Sequence, residues 1–190
     1  MSMPRRIWLR AIGAGSALPL AVPAQAAGFN AAPALSPGHV FLRATEARFI
    51  AAAADRMIPE DEHPSASQAG VVDYIDRQLA GPFGQGTRMY LDGPLAAGTP
   101  EQGYQLGLAP AAVYRESLDA LLAEPAGRDF AARSPQQQDV FLGELEAGAW
   151  MRGRVPASIF FETLLSNVGE GYFADPAYGE RWARPWLDLA

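Results

Sequence analysis

Cysteine and lysine are both absent from this 190-residue chain, and histidine occurs only at positions 39 and 63. Without cysteine there is no disulfide, no iron–sulfur cluster, no thiolate zinc site and no haem attached through Cys-x-x-Cys-His. Without lysine there is no Gly-x-x-x-x-Gly-Lys phosphate loop, and no Gly-x-Gly-x-x-Gly fingerprint follows a strand-like run. His39 follows Gly38 and His63 precedes Pro64, so neither belongs to a His-x-x-x-His zinc pair on a helix. Beyond the first 26 residues no apolar run approaches the roughly 18 residues that a membrane-crossing helix needs. The body of the chain therefore carries no recognisable cofactor motif.

What is present begins at the N-terminus. Arg5 and Arg6 stand together ahead of Ile7, Trp8 and Leu9, the arrangement of a twin-arginine export signal. The stretch from Ala11 to Val22 is mildly apolar and interrupted by Gly13, Gly15, Ser16 and Pro19, too short to span a bilayer. Ala24 and Ala26 supply the small residues that a signal peptidase reads, which sets the expected start of the mature chain near Ala27. Arg5, Arg6 and Arg10 all precede the apolar run, whereas an amphipathic surface helix would interleave its charges with it. The twin-arginine route carries folded proteins, usually because they hold a cofactor. A leader for folded cargo on a body without a cofactor motif is reconciled if this chain leaves the cell bound to a second protein that holds one. The expected location is the periplasm, with membrane association only through such a complex.

Removing 26 residues leaves 164, enough for one domain with a sizeable core, and moves the net charge from −6 to about −9. An acidic, lysine-free body argues against nucleic acid or an anionic lipid surface as the main partner. Residues 27–40 are rich in Ala, Pro and Gly and read as an extended linker. The spacing then predicts five helices. The first starts with Thr45 as N-cap and Glu46 in its first turn, buries Phe49, Ile50, Ala53 and Met57, and stops at Pro59. The second runs from Ser67 to Ala80 with Val72, Ile75 and Leu79 inside and Asp73, Asp76 and Arg77 on its outer face, and ends at Gly81-Pro82. The third opens at Pro110, carries Val113, Tyr114, Leu118, Leu121 and Leu122, and ends at Pro125 and Gly127. The fourth begins with a Ser134-to-Gln137 capping box, turns Val140, Phe141 and Leu145 inward, and stops at Gly148. The last starts near Pro156, presents Phe160, Phe161, Leu164, Leu165 and Val168 to the core, and ends between Glu170 and Tyr172. The expected fold is all-α, an irregular bundle of about five helices. Between the second and third helices, residues 81–108 form a long loop rich in Gly and Pro that also carries Phe83, Tyr90 and Tyr104. Aromatic residues suit an interface better than disorder, so this loop is a candidate for docking onto a partner.

Catalytic constellations are sparse. Glu60-Asp61-Glu62-His63 is the most metal-like cluster, but consecutive residues point apart and an acidic run beside proline is the usual composition of a solvated loop. Glu144 and Glu146 are two apart on a helix and cannot share a proton. Glu162 and Glu170 have no histidine, lysine or second acid at hydrogen-bonding spacing, and neither Ser158 nor Ser166 sits in a Gly-x-Ser-x-Gly turn. No catalytic, cofactor-binding or metal-binding residue is assigned to this chain. The competing expectation is a free-standing exported metal-dependent hydrolase built on Glu60, Asp61, Glu62 and His63.

Several stretches carry a likeness: Leu42 to Phe49, Arg56-Met57-Ile58-Pro59, Ala69 to Asp76, Gly103-Tyr104-Gln105-Leu106, Phe160 to Leu165, and above all Gly169-Glu170-Gly171-Tyr172-Phe173-Ala174-Asp175-Pro176-Ala177-Tyr178-Gly179. Together they resemble gluconate 2-dehydrogenase subunit 3, the small subunit of membrane-bound sugar and gluconate dehydrogenases, over residues 41–179. The resemblance implies a non-catalytic subunit that accompanies a large FAD-binding subunit of the glucose-methanol-choline type, often with a multihaem cytochrome c subunit, and serves its maturation and export. A spacer between flavoprotein and cytochrome is another role compatible with it. Phe83, Tyr90, Tyr104, Tyr172, Phe173 and Tyr178 are the expected interface residues. Residues 180–190 depart from the family's usual ending and read as a divergent tail in which Trp182 and Trp186 flank Pro185.

Overall fold

The computed structural model of the chain describes residues 38–94, 98–99, 106–149 and 153–173. The leader residues Arg5, Arg6, Ala24 and Ala26 lie outside them, as do Tyr104, Tyr178, Trp182 and Trp186. Among the described residues there are six α-helices, one 3₁₀ turn and no strand. They are α1 (Ala44–Met57), α2 (Val71–Ala80), α3 (Pro110–Ala123), the short α4 (Pro125–Arg128), the 3₁₀ turn Phe130–Ala132, α5 (Pro135–Glu146) and α6 (Ala157–Phe173). The all-α bundle expected from the periodicity is what forms. Its centre is α6, the longest helix, which packs against α1, α2, α3 and α5.

The helix ends show how local chemistry sets the boundaries, and where it differs from the sequence expectation. The N-cap of α1 is Arg43, not Thr45. The reason is Glu46, whose carboxylate reaches back to accept the Arg43 backbone N–H at 2.7 Å and so caps the helix two residues earlier. At the other end Pro59 restricts Ile58, which takes φ −129° and ψ 86° and leaves the helix. α2 begins at Val71 and not at Ser67, because Gly70 before it holds φ +91°, a conformation outside the helical region. Ser67 is used elsewhere: its N–H and hydroxyl donate to the Asp55 carboxylate of α1 at 2.8 and 2.7 Å. Pro125, expected to end a helix, also starts one, since its fixed φ suits the first position of α4. On α5 the capping box forms as predicted, with Gln137 N–H donating to Ser134 Oγ and Ser134 N–H donating to Gln137 Oε1. Val140, however, faces out at 63 % exposure, and Gln138 takes the inward place, donating to the Phe130 carbonyl at 3.0 Å.

Two aromatic clusters hold the helices. Phe130, delivered by the 3₁₀ turn, has its ring centroid 4.9 Å from that of Phe49 on α1 and 5.2 Å from that of Phe141 on α5. Tyr114 on α3 meets Phe160 on α6 edge to face at 5.5 Å. Each such ring, fully buried, stabilises by roughly 1.5–3 kcal/mol relative to exposure.

The strap that leads into α1 is fixed by buried acids. Asp76, expected on the outer face of α2, is 3 % exposed and accepts the backbone N–H groups of Val40, Phe41 and Leu42 at 2.7, 2.9 and 2.7 Å. Glu46 is fully buried and also accepts from Arg115 of α3 at 2.6 Å. Arg115 in turn donates to the Phe41 carbonyl at 2.9 Å and lies over the Phe41 ring, 4.3 Å from its centroid. Four backbone donors and the Arg115 guanidinium leave neither carboxylate unanswered, which is what permits acidic groups at such depth.

Candidate functional site

The loop after α2 is built rather than slack. Gly84 donates its N–H to the Gln78 carbonyl at 3.0 Å, and its own carbonyl accepts from Ala111 N–H at 3.0 Å, so one residue ties the end of α2 to the start of α3. A Cβ at Gly84 would fall on the Leu79 carbonyl oxygen, so only glycine permits this approach. Thr87 closes the turn by donating its hydroxyl to the Pro82 carbonyl at 2.7 Å. Held in this way, the loop presents Phe83 and Met89 to solvent.

Facing them is the outward side of α6. Phe83, Met89, Pro110 and Ile159 form the apolar walls of a groove of about 350 Å³, and Glu162 and Glu170 bring carboxylates into it. Glu170 accepts from Ser166 Oγ at 3.2 Å on one oxygen, and from Tyr74 OH at 3.3 Å and Asn167 Nδ2 at 3.4 Å on the other. Behind it, the buried Tyr114 hydroxyl donates to Asn167 Oδ1 at 2.8 Å. Burial first, and then the Glu170 charge, push the Tyr114 phenol well above its ordinary value, so it acts as a neutral O–H donor. Glu162 is exposed and has no hydrogen bond or ion pair among the described residues. This arrangement brings no nucleophile to a base. It is an apolar trough with negative charge along one wall.

The residues predicted for an interface divide. Phe83 lines the groove. Tyr90 is 72 % exposed, with its hydroxyl donating to the Gly93 carbonyl at 2.6 Å, and Phe173 is 68 % exposed; neither lines the groove. Tyr172 was expected at the interface and is instead 8 % exposed within the core, its hydroxyl donating to the Pro64 carbonyl at 2.9 Å. Its place follows from Leu164 and Val168, eight and four residues earlier on the same inward stripe. Tyr104 and Tyr178 lie outside the described residues. Met89, Ile159 and the line of Glu162, Ser166 and Glu170 were not singled out as a surface. The last three recur every four residues on the exposed side of an apolar helix, a signal that the sequence did contain.

Glu60, Asp61, Glu62 and His63 are all exposed in the turn after α1. Asp61 accepts the His63 backbone N–H at 2.8 Å, and Glu60 accepts from Gln68 at 3.0 Å, so two of these side chains serve the turn itself. Among the described residues no group of three or more His, Asp and Glu is placed to hold a metal ion. His39 lies elsewhere, its Nε2 3.9 Å from the Asp73 carboxylate. No helix among the described residues is long and apolar enough to cross a membrane.

The family model described as gluconate 2-dehydrogenase subunit 3 matches residues 44–188. The chain belongs to that family. The match opens at the first residue of α1 and runs past the end of α6, so the whole described helical bundle is the subunit 3 body. The family is thus one of subunits of gluconate 2-dehydrogenase, which agrees with a role as an accessory chain. Comparison with curated proteins and with solved structures returns no match.

Proposed function

We propose that this chain is the non-catalytic small subunit of a periplasmic FAD-dependent sugar or sugar-acid dehydrogenase of the glucose-methanol-choline type. It binds the folded flavoprotein and lends it the twin-arginine leader with Arg5 and Arg6. A multihaem cytochrome c subunit completes the complex where electrons pass on to the membrane. The observation that carries this reading is the subunit 3 match across the entire helical bundle. Two others support it: an acidic body without cysteine or lysine, and a fixed loop that displays apolar side chains beside a groove. FAD belongs to the partner in this scheme.

The test is co-expression. The flavoprotein is produced with this chain, without it, and with the Arg5→Lys/Arg6→Lys double variant, and acceptor-linked dehydrogenase activity is measured in periplasmic and cytoplasmic fractions. Periplasmic activity should fall to background without the chain, and in the double variant it should collect in the cytoplasm. Equal periplasmic activity in all three cases would overturn the proposal.

A further inference from the structure

We infer that the groove between the loop after α2 and the outward face of α6 seats a cationic amphipathic helix of the flavoprotein subunit, its apolar side chains against Phe83, Met89 and Ile159 and its basic residues against Glu162 and Glu170. The inference rests on the accessory-subunit reading and adds the surface and the chemistry of contact.

Three observations carry it. The first is the balance of charge. On other faces of the bundle three carboxylates are matched by arginines: Asp119 by Arg43, Asp139 by Arg56 and Glu116 by Arg154. In the groove no cationic side chain is among the lining residues, and Glu162 has no partner among the described residues. Uncompensated negative charge beside apolar surface selects a partner bearing the opposite charge. The second is the preorganised loop. Phe83 and Met89 are held in water by a turn whose backbone is tied to both α2 and α3, so little ordering remains to be done on binding. The third is length. From Ile159 to Glu170 the α6 wall runs eleven residues, on the order of 16 Å at helical rise, which matches three turns of an incoming helix. Glu162 and Glu170 are eight residues apart, on the order of 12 Å, so basic residues seven or eight apart on one helical face would meet both.

The experiment uses the full chain, affinity-tagged and co-expressed with its flavoprotein, with the flavin absorbance recovered alongside the tag as readout. Glu162→Arg is the primary variant, because that side chain makes no hydrogen bond whose loss could unfold the bundle. Glu162→Arg/Glu170→Arg is the stronger one, and Val140→Asp, on exposed α5 surface outside the groove, is the control. Charge reversal should reduce recovered flavin at least ~10-fold, since like charges placed together at an interface repel. The control should change nothing, and far-ultraviolet circular dichroism melts of Glu162→Arg and wild type should coincide. A photo-cross-linking residue at Met89 should capture a flavoprotein peptide containing arginine or lysine. Retention of flavin by both reversal variants at wild-type level would overturn the inference, as would capture of an acidic flavoprotein peptide or of this chain's own residues 174–190. If wild type itself recovers no flavin, the accessory-subunit reading fails first, so the two failures are distinguishable.

Discussion

Two pairs of carboxylates in this bundle share one chemistry and have opposite surroundings. Glu46 and Asp76 are buried, and their oxygens are taken up by backbone N–H groups of Val40 to Arg43 and by Arg115. Glu162 and Glu170 stand on the solvent side of α6, the first without a partner among the described residues and the second held by neutral hydroxyl and amide donors. The buried pair spends its charge on the fold, fixing the strap before α1. The groove pair leaves its charge available to something outside the chain. Burial alone does not make an acid structural; saturation by donors does.

Removal of Asp76 should therefore produce the largest loss of stability. Asp76→Ala strips the acceptor from three consecutive backbone N–H groups, of which that of Leu42 is buried. A charged acceptor of this kind contributes about 3 kcal/mol or more when its donors are left unmet. The urea midpoint should fall accordingly, with faster hydrogen exchange at Val40, Phe41 and Leu42. Asp76→Asn should fall between Ala and wild type, because only one of its two terminal atoms can accept. A change within about 0.5 kcal/mol for Asp76→Ala would erase the contrast between the two pairs.

The second prediction probes the buried hydroxyl behind the groove. Tyr114 is fully buried and its phenol is held neutral in the folded state, well above its ordinary value of 10.0. The unfolded chain releases that proton near pH 10 and the folded chain keeps it, so the unfolded state binds fewer protons there and stability declines as pH rises. Below pH 10 the contribution is fully present. Above it, the loss approaches about 1.4 kcal/mol per pH unit from this one residue. Burial first, and the Asp61 charge second, shift Tyr172 in the same direction. The absence of lysine and cysteine makes the measurement clean, since tyrosine dominates titration in that window. Tyr114→Phe should cost about 1 kcal/mol at neutral pH through the lost bond to Asn167, and should flatten the alkaline decline. An unchanged slope in the variant would show that Tyr114 ionises without opening the fold.

The sequence made the helices legible through their period and concealed the buried polar groups through their identity. Glu46 lies four, seven and eleven residues before Ile50, Ala53 and Met57, on the stripe already assigned to the core. Asp76 lies between Val72 and Leu79 at spacings of four and three, and Gln138 precedes Phe141, Leu142 and Leu145 in the same manner. In each case the 3.6-residue period pointed inward and polarity pointed outward, and the period was right because a partner waited there. Val140 is the converse, an apolar residue off the stripe and so exposed. The partners themselves were beyond reach, since the donors on Asp76 come from 34 to 36 residues away. The groove was half legible. Phe83 and the loop that carries it stood out by composition, whereas the facing wall depends on how α6 rolls against α3.

Ser117 on α3 is the exception that sharpens the contrast, and its effect should be the smallest. Its hydroxyl is buried without a hydrogen-bond partner among the described residues, on the wall of a cavity of about 30 Å³ shared with Leu121, Leu145 and Phe160. A water bound there would need two to four polar partners. The one acidic side chain on the lining, Glu116, is engaged by Arg154, which leaves the serine alone in apolar surroundings. If saturation is what makes a buried polar group structural, an unsaturated one adds nothing to stability. Ser117→Ala should then leave the protein unchanged or stabilise it by up to about 1 kcal/mol, a rise of at most about 2–4 °C in Tm for a chain of this size. A loss of more than 1 kcal/mol would mean that the hydroxyl is answered after all, and Ser117 would join Glu46 and Asp76 on the saturated side.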